Sequence, residues 1–182
     1  MKKLLVIVDM VNGFVKEGAL SDININRITP NIITLVKEFV KKGYPIITFR
    51  DAHNEDDDEM KFFPVHCLKG TSESKLIDEL SEYKDYYIDI EKNTTNGFDT
   101  YLFRDYILKN QFEEVIITGC CTDICVETFA LSLKKHFLIN NINTKIIVYE
   151  NTVYTFNSPI HNALECHQKS LEKMQENGII IL

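Results

Sequence analysis

The sequence predicts an α/β fold, a doubly wound and mainly parallel β-sheet flanked by helices on both faces. Three observations carry that expectation. Short apolar runs alternate along the chain with longer segments, the mark of a parallel sheet wrapped by helices. The segments between them repeat apolar residues at helical spacing. The 182 residues include only seven Gly and four Pro, with 45% apolar and 26% charged residues, the profile of a folded domain with a substantial core.

Taken in order, Leu4 to Val8 reads as a buried strand. Ile28, Ile32, Leu35, Val36, Phe39 and Val40 form a helical stripe that stops near Gly43. Tyr44 to Phe49 and Tyr86 to Ile90 are the next strands. Leu102, Tyr106 and Ile107 are expected on one side of a helix from about Asp99 to Asn110. Val115 to Thr118 is a fourth strand, followed by a helix from about Asp123 that carries Val126, Phe129, Ala130, Leu133 and Phe137. Ile146 to Tyr149 and Ile179 to Ile181 complete the strands, with a helix from about Pro159 to Glu176 between them. No repeat or low-complexity tract divides the chain, so residues 1–182 are expected to form one domain.

Twenty basic against 27 acidic residues leave a net charge of −7. That argues against nucleic acid or an anionic membrane surface as partner, since both require basic stripes. No apolar run approaches the ~20 residues of a membrane span. The start reaches Asp9 too soon for a signal peptide. The five cysteines (67, 120, 121, 125 and 166) are odd in number and lack framework spacing. They read as reduced thiols in a cytoplasm.

In open α/β sheets the ligand crevice lies beyond the carboxyl ends of the strands. The first strand delivers Asp9 there, the second Asp51 and His53, the third Lys92, and the fourth the segment Gly119 to Cys125. Cys125 is the best nucleophile candidate. Thr122 or Asp123 can cap the following helix and place Cys125 in its first turn, where the backbone potential favours thiolate. Its bland alternative is a small buried apolar residue. Asp9 can exchange a proton with that thiol or serve only as turn chemistry. Lys92 is a strand-end lysine that beside a thiol would favour the thiolate. Asp51 and His53 leave one face of an extended segment, and with His66 they suit a borderline divalent cation such as zinc, iron or manganese. A further acid is available between Glu55 and Glu59, although such a run is also an ordinary solvated loop. Cys67 and Cys166 carry no signal, and His136, His161 and His167 are expected within helices as structural or surface positions.

These residues sit in segments that resemble the nicotinamidases of the isochorismatase-like cysteine hydrolases. Val8 to Phe14 is similar to that family's D-x-Q-N-D-F motif, and Phe49 to His53 to its metal strand end. Phe62 to Thr71 resembles the P-x-H-C-x-x-G-T signature, and Glu91-Lys92 with Phe98 the catalytic-lysine segment. Gly119 to Val126 matches the G-x-x-T-D-x-C-V nucleophile turn, the most specific of the five. Val11 and Gly13 replace the usual Gln and Asp of the first motif, and Thr95-Asn96-Gly97-Phe98 replaces Y-S-A-F. These departures bear on the substrate more than on the reaction.

The resemblance implies an amidohydrolase that converts nicotinamide, or a related pyridine carboxamide, to the acid and ammonia through a thioester, within NAD salvage. It implies Asp9, Lys92 and Cys125 as the triad, and the backbone N–H groups of Cys121 and Cys125 as an oxyanion hole. A cis peptide is expected before Cys121. One divalent ion, zinc first and iron or manganese as alternates, is implied at Asp51, His53 and His66, with Glu59 in a fourth position. Phe14 and Phe63 would sandwich the ring, and assembly into a homo-oligomer is compatible with the resemblance. Two rivals remain at this level. One is a metal-free relative acting on another amide, carbamoyl or vinyl-ether substrate. The other is a non-enzymatic flavodoxin-like binder or a thiol redox sensor using Cys120, Cys121 and Cys125, against which the missing Gly-rich phosphate loop counts.

Overall fold

The computed structural model describes residues 2–182. Six strands, β1 (Lys3–Val8), β2 (Ile46–Asp51), β3 (Tyr87–Lys92), β4 (Glu114–Cys120), β5 (Lys145–Tyr154) and β6 (Ile180–Ile181), form one sheet in the order β3-β2-β1-β4-β5-β6. Every neighbouring pair is parallel. Six α-helices accompany them: α1 (Asn12–Val15), α2 (Thr29–Lys42), α3 (Asp78–Ser81), α4 (Tyr101–Lys109), α5 (Glu127–Ile139) and α6 (Ala163–Glu176). Among the described residues no helix is long and apolar enough to cross a membrane.

The unbroken aliphatic run of β1 is explained by burial on both sides. Leu4, Val6 and Val8 join a core with Phe103 of α4, Phe129 and Leu133 of α5 and Leu171 of α6. Leu5 and Ile7 join a second core with Ile32, Val36 and Phe39 of α2. Strand order reverses at β1, whose neighbours are β2 and β4. That reversal opens the crevice at the carboxyl edge, where Asp9 and the turn after β4 meet.

Several expectations shift at their boundaries. β2 and β3 extend to Asp51 and Lys92, so both side chains are carried by strands rather than by the loops after them. β5 runs on to Tyr154 past a change of register between Ile117 and Gly119 of β4. Leu102 is 60% exposed, contrary to the expected apolar face. Because α4 starts only at Tyr101, Phe103 and Ile107, four apart, form its buried face. The last helix starts at Ala163 instead of near Pro159, since the Asn162 side chain accepts the Glu165 N–H as its cap.

Candidate active site

Three strand ends supply a buried charged row. Lys92 Nζ lies 2.8 Å from Asp9 Oδ2 and donates a hydrogen bond to Asp51 Oδ1 at 2.7 Å. The path is set by sheet order: Lys92 on β3 reaches over Asp51 on β2 to Asp9 just beyond β1. Asp9 itself has φ 51°, a left-handed conformation that Asp tolerates better than most residues. Beyond β4 the Cys120–Cys121 peptide is cis, as expected, and residues Thr122–Val126 form a wide turn of π-helical pitch that carries Cys125. Such turns are frequent at functional sites.

The row determines the charge states. Burial would lower the Lys92 pKa, but the Asp51 and Asp9 carboxylates raise it well above the ordinary value. Burial raises Asp9 to about 7, with Lys92 opposing and Asp51 adding to the rise. Neither Asp9 oxygen has a well-aligned hydrogen bond, although Lys92 and the Cys125 thiol both lie against the carboxylate. Burial also pushes the Cys125 thiol well above its usual value, with Lys92 opposing the rise and Asp9 and Asp51 adding to it. This corrects the expectation of a resting thiolate. The sulfur is a thiol, adjacent to a carboxylate whose affinity for a proton suits accepting one.

Asp51, His53 and His66 converge beside this row. One oxygen, Asp51 Oδ2, faces His53 Nε2 at 3.0 Å and His66 Nε2 at 3.2 Å. Backbone pairing of His53 with the 67–69 segment holds the two imidazoles together: the His53 N–H donates to the Cys67 carbonyl and the Lys69 N–H to that of His53. His66 Nδ1 is 2.8 Å from the Pro64 carbonyl, so Nδ1 carries a proton and Nε2 is the nitrogen turned to the carboxylate. Two imidazole nitrogens gathered on one carboxylate oxygen must be held there by protons or by a cation. One potential donor atom from each of the three residues lies within 4.8 Å of the others. The donor set therefore fits a borderline divalent ion, with the Pro64 carbonyl orienting His66 from behind.

Without a cation, protons take that place and leave the cluster's charges strongly coupled. Burial would raise the Asp51 pKa, but Lys92 and the two imidazoles hold it far below the usual carboxylate range. Burial would lower His66, yet the Asp51 hydrogen bond and the Pro64 carbonyl leave it raised. Glu59 stands at the edge of the cluster, its Oε2 3.7 Å from His53 Nε2. Its Oε1 accepts from the backbone N–H and hydroxyl of Thr95. Thr95 lies in one of the segments that depart from the family pattern, and here it positions the candidate fourth ligand.

A cavity of about 530 Å³ opens onto the row, within the range of small-molecule sites. Phe14, Phe63, Ile124 and Phe156 give it apolar walls, and Lys92, Asp51, His66, Glu59, Cys121 and Cys125 line its chemical side. Phe14 and Phe63 flank His66, with ring centroids 5.8 and 6.3 Å away. Phe63 is 42% exposed and so is a mouth residue rather than core.

The expected cap of the nucleophile turn is absent. No side chain caps that turn. Thr122 Oγ1 instead contacts His167 Nδ1 at 2.9 Å, while Ser170 Oγ donates to the Thr122 carbonyl. Asp123 pairs with His161 at 2.7 Å. His161 and His167, read from the sequence as structural or surface, thus brace the turn that carries Cys125. His161 also lies before α6, not within it. The signal was available in Pro159 and Asn162, which delay the start of the helix. All five cysteines are free, and Cys120 Sγ donates to the Asp9 carbonyl.

The model of the isochorismatase domain family matches residues 3–182. Nicotinamidase 1 of Arabidopsis thaliana is 32% identical over 177 residues, covering 87% of this chain and 72% of that protein. The crystal structure of nicotinamidase PncA from Bacillus subtilis superposes with a TM-score of 0.84 at 27% identity, covering 100% of this chain and 99% of that one. The pyrazinamidase of Pyrococcus horikoshii in complex with zinc gives a TM-score of 0.82 at 25% identity, covering 100% and 99%.

Proposed function

The chain belongs to the isochorismatase domain family, and from that premise we propose that it is a cysteine amidohydrolase that converts nicotinamide to nicotinate and ammonia, a step of NAD salvage. The observation that carries this reading is the Asp9–Lys92–Asp51 row, which joins a cysteine-hydrolase triad to a cluster of zinc-type ligands at one cavity. The similar nicotinamidase and the zinc-bound pyrazinamidase support the substrate class.

In this mechanism Asp51, His53 and His66, with Glu59 at the fourth position, would hold one divalent ion, zinc in the first instance. When bound, it supplies a Lewis-acidic anchor for the pyridine nitrogen and so orients the ring. Phe14 and Phe63 contact the ring from the apolar side. Cys125 attacks the carboxamide carbon as its thiol proton passes to Asp9. The tetrahedral oxygen takes hydrogen bonds from the backbone N–H groups of Cys121 and Cys125, donors worth roughly 3–4 kcal/mol each in such sites. Asp9 returns the proton to the departing nitrogen, releasing ammonia and leaving a thioester. Water then attacks the thioester as Asp9 takes its proton, and return of that proton to sulfur frees the acid and restores the thiol. Lys92 remains an ammonium throughout, holding Asp9 and Asp51 in place.

An ammonia-release assay with nicotinamide on wild type, Cys125→Ala and His53→Ala tests the reading. We expect turnover by wild type, none above background for Cys125→Ala, and a large loss with a raised KM for His53→Ala. Wild-type, zinc-loaded protein that releases no ammonia from nicotinamide would overturn it.

A further inference from the structure

Phe156 forms a wall of the catalytic cavity together with Phe14, Cys121 and Cys125. It is held from two sides. At the rim, Asp22 ties the two aromatic walls together: its N–H donates to the Phe14 carbonyl, and its Oδ2 accepts the Asn157 N–H at 2.8 Å. At the base, the Phe156 ring lies flat on the His161 imidazole, with centroids 4.0 Å apart and planes 8° from parallel. His161 is itself fixed at both nitrogens. Nδ1 sits 2.9 Å from the Phe156 carbonyl oxygen, and Nε2 sits 2.7 Å from Asp123 Oδ2. Reciprocal backbone hydrogen bonds between Ser158 and His161 close the intervening loop.

Asp123 is two residues from Cys125 in the same turn. Contacts therefore run from the nucleophile's own turn through His161 to the ring that bounds the substrate space. Rotation of Phe156 away from the cavity would break the flat stack, and movement of His161 would break its contact with Asp123. We infer that Phe156 is a specificity-determining wall of the cavity, and that His161, through Asp123, is the positioning residue that fixes this wall relative to Cys125. The ligand class it selects is the amide of a single flat six-membered aromatic ring, in preference to fused bicyclic aromatic amides. The inference rests on the proposed amidase reading for its substrate, but the wall can be tested without it.

The experiment compares zinc-loaded wild type, His161→Ala, His161→Phe and Phe156→Leu by two readouts. The first is kcat and KM for nicotinamide and for quinoline-3-carboxamide. The second is the rate at which Cys125 is alkylated by iodoacetamide and by its bulkier N-phenyl derivative. Alkylation is followed by peptide-resolved mass spectrometry, because Cys166 lies near His161 and also carries a thiol. We expect His161→Ala and Phe156→Leu to shift both the bicyclic-to-monocyclic kcat/KM ratio and the bulky-to-small alkylation ratio upward about tenfold. His161→Phe, which keeps a ring beneath Phe156 but loses the contact with Asp123, should raise both ratios as well, by less than His161→Ala. A purely structural role would lower all rates together and leave the ratios unchanged. Unchanged ratios in His161→Ala and Phe156→Leu, with both proteins folded by circular dichroism, would overturn the inference. If no variant hydrolyses either amide but the alkylation ratio shifts, the amidase reading fails and the wall stands. If nicotinamide is hydrolysed and neither ratio shifts, the wall fails and the amidase reading stands.

Discussion

Lys92 donates to Asp51 across a 2.7 Å ion pair in which both side chains are almost wholly buried. Through that bond the candidate catalytic row and the candidate metal cluster share a residue. Removing the ammonium leaves two buried carboxylates without their cation, a change that costs about 3–5 kcal/mol at comparable sites. Lys92→Met should therefore abolish detectable ammonia release and also weaken zinc binding by about 10- to 100-fold, the range for loss of a group supporting a metal ligand. Zinc titration against a chromophoric chelator checks the second effect. Unaltered zinc affinity would show that the two halves of the site are independent.

The pH profile should report Asp9. To accept the Cys125 proton it must be a carboxylate, and its pKa is pushed up to about 7 by burial. The competent fraction shrinks below that value, so kcat/KM should fall as pH drops through about 7, by about tenfold per unit on the acid limb. The stability effect has the opposite sense. Folded protein holds a proton that unfolded chain, with an ordinary value of 3.8, has released. The Asp9 contribution to stability is therefore present at low pH and is lost as pH rises toward about 7. Asp9→Asn should eliminate activity and flatten that slope in urea melts taken across the interval.

Metal removal should be visible in the melting temperature as well as in turnover. A ligand that binds only folded protein stabilises it by about 2.7 kcal/mol when present at 100 times its Kd. Stripping wild type with a chelator should lower the melting temperature, and adding zinc back should restore it. His53→Ala, lacking one imidazole of the cluster, should lose most of this response.

Among the glycines, Gly119 is the one least able to take a side chain. Its φ is +109°, and a Cβ there would lie 2.0 Å from the Val8 carbonyl oxygen on the adjoining strand. That contact cannot be relieved by rotating a side chain, because the obstacle is backbone. Gly119→Ala should destabilise the protein by about 3 kcal/mol or more, and where it folds it should separate Cys125 from Asp9. Denaturant melts together with ammonia release measure both effects.

Much of this was legible in the sequence because strands buried on both faces must be written as aliphatic runs, and their ends mark the crevice. Asp9 closes such a run directly, and Asp51 and Lys92 stand one polar residue beyond theirs. Cys125 was legible through the motif after β4. Pairings formed across loops were not legible. His161 contacts a residue 38 positions earlier, and Thr95 positions Glu59 across 36 positions. Neither relationship leaves a local period or spacing. Gly13 is an instructive case, since the sequence marks it only as a departure from the Asp of the family motif. In the fold, a Cβ at Gly13 would sit 2.5 Å from Cys67 Sγ. Glu73, whose carboxylate accepts the Cys67 N–H, packs in the same space. The void left at residue 13 is filled from a distant loop.

The lysine's strand has consequences for how this protein fails. β3 is the outermost strand on its side of the sheet, paired only to β2, and a fork of bonds from the Arg50 guanidinium to Asp89 fastens it there. Fraying of that border withdraws the ammonium from both carboxylates while the interior ladders persist. Warming should therefore silence the chemistry before it melts the molecule.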